Sequence, residues 1–133
     1  IGGYAGGKMP ETTTKQIREM MQLNFFTAWN FAKAVFVKMI AVQNGHIVLI
    51  GSQPGINLTE GTYAVAYSIS KTAVVKLAAL LNESGKKQNV FCHLITPTTL
   101  DTPQNRIAMP GADFSRWQKP ETVAQEIFNA INR

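Results

Sequence analysis

Cysteine is nearly absent: Cys92 stands alone, which excludes an internal disulfide framework and any cysteine-rich zinc site. No metal centre is expected, and a reduced, cytoplasmic compartment is the simplest setting. No uninterrupted apolar run reaches the ~18–20 residues of a membrane span, so no membrane partner is expected. The opening Ile1-Gly2-Gly3-Tyr4-Ala5-Gly6-Gly7 has neither the basic leader nor the long apolar stretch of a signal peptide. Internal repeats and low-complexity tracts are missing too. A dense basic stripe is also lacking. The 13 Lys and Arg outnumber the 8 Asp and Glu for a net charge of +5, yet they are scattered, and only Lys86-Lys87 are adjacent. Nucleic acid is therefore not an expected partner.

What remains is a globular composition, 45% hydrophobic and 16% charged over 133 residues, long enough to bury one core. The glycine-rich first ten residues, ending in Pro10, read as a loop. Thr12 to Thr14 offer N-cap hydroxyls, and a helix is predicted from Thr14 to Val42. Its apolar residues, among them Phe25, Phe26, Phe31 and Phe36, wrap more than one face, as in a helix covered on two sides. Asn44-Gly45 ends it. His46 to Ser52 is a continuous apolar run suited to a parallel strand covered on both faces. A loop spans Gln53 to Glu60, a second helix Thr62 to Asn82, and a second buried strand Asn89 to Ile95. A proline-bearing loop runs from Thr96 to Pro110. A short helical piece over Ala112 to Trp117 and a last helix from Glu121 to Asn132 complete the order. Two such strands joined by a helix make a βαβ unit and imply a parallel sheet.

Tyr67-Ser68-Ile69-Ser70-Lys71 carries the strongest chemical signal. Tyr67 and Lys71, four apart, share one helix face. A cation so placed favours the phenolate, so the phenol's pKa is expected to fall toward the range of a general acid and base. Tyr63 lacks a lysine at that spacing. Ser52 ends the first strand, at the sheet edge where open α/β folds bind ligands. Asn24 interrupts an apolar stretch of helix, where a buried amide needs partners. Pro97 to Thr102 follow the second strand at the same edge.

In this order, Gly2, Asn24, Ser52, Tyr67 with Lys71, and Pro97 to Thr102 resemble the short-chain dehydrogenase/reductase family over nearly the whole chain. Gly2 to Gly7, Thr98 to Arg106, Met109-Pro110, Ala112 to Ser115 and Trp117 resemble its dihydropteridine reductase branch. Ser52 and Asn24 depart from that branch, which typically lacks them, and favour a general carbonyl or alcohol substrate.

The resemblance implies an α/β fold, the C-terminal portion of a Rossmann-like doubly wound parallel sheet. The first strands and the phosphate-binding turn are missing, so residues 1–133 read as one partial catalytic domain. It also implies NAD or NADP as cofactor and a small-molecule substrate, a carbonyl, an alcohol or a pterin-like compound. Tyr67 would be the acid/base, Ser52 would bond the reacting oxygen, and Asn24 would join a proton relay. Lys71 would hold the nicotinamide ribose, with Gly2, Pro97, Leu100 and Thr102 as further cofactor contacts. A homodimer or homotetramer packed through the long helices is expected. The alternative is a catalytically inactive member acting through such association.

Overall fold

A computed structural model describes residues 2–132; Ile1 and Arg133, the ends of the expected 1–133 unit, lie outside the described residues. Thr13 starts the first helix by a capping box. Its hydroxyl accepts the Gln16 N–H at 3.2 Å, and Gln16 Oε1 accepts the Thr13 N–H at 2.8 Å, so two otherwise orphaned donors are satisfied. Helix α1 (Thr14–Met20) passes into a π-helical segment (Met21–Phe26) and then into α2 (Thr27–Val42). The predicted span is met, but its middle turn is widened. Gln43, left-handed at φ 53°, ends it.

Strand β1 (Gly45–Ile50) is followed by a four-residue helix α3 (Gln53–Ile56), which forms inside the expected loop, with Pro54 in its first turn. Helix α4 (Val65–Gly85) starts three residues later than predicted and ends three residues beyond the predicted Asn82. Strand β2 (Val90–Ile95) pairs parallel to β1, from Gly45 opposite Val90 to Ile50 opposite Ile95. Parallel strands need a long crossover, and α4 supplies it. The proline-bearing stretch holds another short helix, α5 (Pro103–Ala108), and α6 (Pro120–Ile131) closes the described chain.

Ala32, Val74, Leu77, Ala78 and Leu81 of α2 and α4 pack on Ile47 and Leu49 of β1 to form the core. On the other face of β1, His46 and Ile50 are exposed and Val48 is half-buried. Alternate residues point to opposite faces, and the described residues seal one of the two. By length and composition, Thr14–Val42 is also long and apolar enough to cross a membrane, with a mean hydropathy of 1.4 over its best window. The absence of an uninterrupted apolar run did not reveal this.

Gly61 sets the entry to α4. It sits at φ 83°, and a Cβ there would collide with Ser68 Oγ and lie 2.8 Å from Pro54 Cβ. Gly61→Ala should cost about 1–3 kcal/mol, read as a lowered thermal midpoint in the full-length protein. An unchanged midpoint would show that this turn relaxes without cost.

Candidate active site

Lys71 ties the sheet to α4. Its Nζ donates to the carbonyl of Ile50, the last residue of β1, at 3.0 Å, and lies 5.9 Å from the centre of the Tyr67 ring. Helix α3 packs closely enough here that a Cβ on Gly55 would be 2.9 Å from the Lys71 carbonyl carbon. Gly51 and Ser52, both buried, lead from the end of β1 into α3. Tyr67, Lys71 and Ser52 thus meet at the carboxyl end of the strand.

The electrostatics of this cluster differ from expectation. Burial holds the Tyr67 phenol above its ordinary value, opposed by the neighbouring Ser52 hydroxyl and reinforced by Tyr63 and Tyr4. Burial also lowers the Lys71 ammonium. The expected fall in the Tyr67 pKa is therefore corrected: Lys71 faces a backbone carbonyl and is itself desolvated, and desolvation of the phenol outweighs it. Ser52 Oγ is buried and, among the described residues, no group meets it in full hydrogen-bond geometry. It lies near enough to the Tyr67 phenol to favour the phenolate as a hydrogen-bonding neighbour.

Asn24, in the π segment, is 4% exposed. Its Oδ1 accepts the Gly3 N–H at 2.8 Å, and its Nδ2 donates to the Gly3 carbonyl and to Ser70 Oγ, each at 3.0 Å. Both amide hydrogens are engaged, and Oδ1 keeps one acceptor site. Gly2 lies against the same side chain, and a Cβ there would be 3.0 Å from Asn24 Oδ1. The far end of the glycine-rich segment is also pinned to the start of α4. Gly7 N–H donates to the Tyr63 carbonyl at 2.8 Å, and Val65 N–H to the Gly7 carbonyl at 3.0 Å.

Beyond β2, Thr102 Oγ1 caps α5 by accepting the Asn105 N–H at 3.2 Å, and Asn105 Nδ2 holds the Leu100 carbonyl at 2.8 Å. Asp101 and Arg106 form a two-pronged ion pair at 2.6 and 2.8 Å that keeps the carboxyl of Asp101 below its usual range. Tyr67, Lys71, Pro97 and Leu100 line one cleft of about 680 Å³, together with Tyr4, Tyr63, Asn105 and Met109. Ser52 is buried beside Tyr67, whereas Asn24 and Gly2 connect to α4 through Ser70. Thr102 shapes the loop as a cap and is not among the cleft's lining residues. The sequence reading missed Tyr4, whose ring packs edge-on against Tyr67 at 5.0 Å, and passed over Tyr63. It also missed Ser70, although that residue stands inside the Tyr67–Lys71 motif.

Residues 2–111 match the family model described as short chain dehydrogenase. The dihydropteridine reductase of Dictyostelium discoideum is 33% identical over 130 residues, covering 96% of this chain and 54% of that protein. Oxidoreductase UcpA of Escherichia coli is 31% identical over 111 residues, covering 84% of this chain and 41% of that protein. The chain thus spans about half the length of the relatives it matches. A putative NAD(P)-dependent gluconate 5-dehydrogenase from Beutenbergia cavernae, solved with NADP at low occupancy, superposes with a TM-score of 0.84 at 24% identity. That match covers 96% of this chain and 55% of the other. ElxO, solved with NADP bound, gives 0.85 at 22% identity over 100% of this chain and 57% of its own. These two likenesses show the fold.

Proposed function

The chain belongs to the short-chain dehydrogenase family, and from that premise we propose that the whole protein is a nicotinamide-dependent oxidoreductase acting on a small carbonyl, alcohol or pterin-like substrate. The observation that carries the proposal is the orphaned, buried Ser52 Oγ beside a phenol kept protonated by burial. A buried hydroxyl without a partner is costly, and this one lies behind Tyr67, which itself lines the cleft. The donor set also suits a nicotinamide riboside. An ammonium carries three donors; one of Lys71's is taken by Ile50, and the others are left for ribose hydroxyls at the cleft. The cofactor, NAD or NADP, supplies hydride chemistry when bound. Pro97 and Leu100 line the same cleft and would flank its nicotinamide end.

Tyr67 gives its proton to the substrate oxygen in reduction and takes it back in oxidation. Ser52 donates a hydrogen bond to that oxygen and holds it in line with the phenol. Asn24 works as a clamp on Gly3. Tyr4, Tyr63 and Met109 wall the cleft with flat and polarisable surface, which favours a planar conjugated substrate over a small aliphatic one. The test is oxidation of reduced nicotinamide by the full-length protein with both substrate types. Faster turnover of the planar class supports the reading. No turnover of either would overturn it and favour the alternative of a member acting by association.

Association itself has a surface. Phe25 and Phe36 pack against the core, whereas Phe26 is 42% and Phe31 63% exposed. Trp29, Phe36, Val37, Leu77 and Leu80 line an apolar groove between α2 and α4, with Val37 63% and Leu80 52% exposed. A second copy packed helix on helix would cover this groove, in a homodimer or homotetramer. The full-length protein should sediment as a dimer or larger at micromolar concentration, and Val37→Glu with Leu80→Glu should shift it toward the monomer. A strictly monomeric unsubstituted protein would contradict this.

A further inference from the structure

Ser70 is fully buried, and its hydroxyl is committed on both sides. It accepts from Asn24 Nδ2 at 3.0 Å and donates to the Tyr67 carbonyl at 2.7 Å. Of its two partners, Asn24 lies 46 residues from Ser70 in sequence and Tyr67 one helical turn before it. Asn24 in turn grips Gly3 from both its N–H and its carbonyl. The next residue, Tyr4, returns its ring to the Tyr67 ring. The contacts therefore form a closed circuit: Tyr67 backbone, Ser70, Asn24, Gly3, Tyr4, Tyr67 ring. From this circuit we infer that Ser70 is a positioning residue that fixes the glycine-rich segment, and through Tyr4 the Tyr67 ring, against the cleft.

A serine serves here because one small group both accepts and donates inside a helix. Alanine leaves one Asn24 amide hydrogen unpaired in a buried setting and opens the circuit at its middle. The backbone of α4 and the phenol itself are untouched, so the loss is one of alignment. A displacement of about 1 Å at a reacting group can cost a hundredfold.

The inference rests on the oxidoreductase reading for its kinetic part, and its structural part is measured without activity. In the full-length protein, Ser70→Ala should speed amide hydrogen exchange at Gly3 about fivefold, the net worth of one neutral hydrogen bond. It should lower kcat by about ten- to a hundredfold, with the substrate KM changed less than about twofold. Asn24→Ala should lower kcat as well, and adding Ser70→Ala to it should cost almost nothing more, because both act on one path. Alanine is the better helix former, so the variant should fold. If it does not, Ser70→Cys fills the same space with a weaker donor and carries the same comparison. Unchanged Gly3 exchange, or kcat losses that multiply in the double variant, would overturn the inference. If the unsubstituted protein turns over no nicotinamide, the functional reading fails and Gly3 exchange alone decides the role of Ser70.

Discussion

Tyr67→Phe in the full-length protein should lower kcat by about two to four orders of magnitude, the range general acid–base catalysis contributes. The substitution removes one oxygen and keeps the ring, so the edge-on contact with Tyr4 and the packing of α4 stay in place. Ser52 remains to bond the substrate oxygen, and Lys71 remains on Ile50. What is lost is the transferable proton. Substrate KM should therefore change far less than kcat. Turnover near the unsubstituted rate would remove Tyr67 from the chemistry.

Lys71→Met should be the second most damaging change, lowering kcat about a hundredfold and weakening cofactor binding. It removes a cation at 5.9 Å from the Tyr67 ring and the tie between α4 and the end of β1. The pH dependence separates the two directions of reaction. Reduction needs the protonated phenol. Burial holds its pKa above the ordinary value of about 10, so reduction should stay level through neutrality and fall only at alkaline pH. Oxidation needs the phenolate and should rise with pH toward the same limb. Lys71 is not among the groups that shift the phenol, so in Lys71→Met the rising limb for oxidation should keep its place on the pH axis while the rate falls. A rate and a cofactor affinity both unchanged in Lys71→Met would leave Lys71 a structural tie alone.

The long elements could be read because each is bounded by chemistry visible in one dimension. Thr12 to Thr14 announce a helix start, Asn44-Gly45 a stop, and the two apolar runs a parallel pair. The π segment could not be read from spacing, since Met21 to Phe26 keep an apolar pattern through the widened turn. Its one trace is Asn24, a polar residue buried among them. Helices α3 and α5 are too short to show periodicity, and their signals are Pro54 and Pro103 in their first turns. In the site, the Tyr67–Lys71 spacing places the two groups on one face, but spacing says nothing about burial. Burial, from contacts distant in sequence, turned the expected fall in the phenol's pKa into a rise. Tyr4 was hidden for the same reason: its approach to Tyr67 depends on Asn24 gripping Gly3, which no local pattern records.

The most direct measurement follows a label. The full-length protein is given reduced nicotinamide deuterated at its transferring position together with a planar carbonyl substrate in ordinary water. The expected product carries deuterium at the carbon that was reduced and a solvent-derived proton on the neighbouring heteroatom, and Tyr67→Phe suppresses both. Deuterium recovered in the solvent, or product formed at the same rate in Tyr67→Phe, would contradict the assignment of this cleft as a site of hydride transfer assisted by Tyr67.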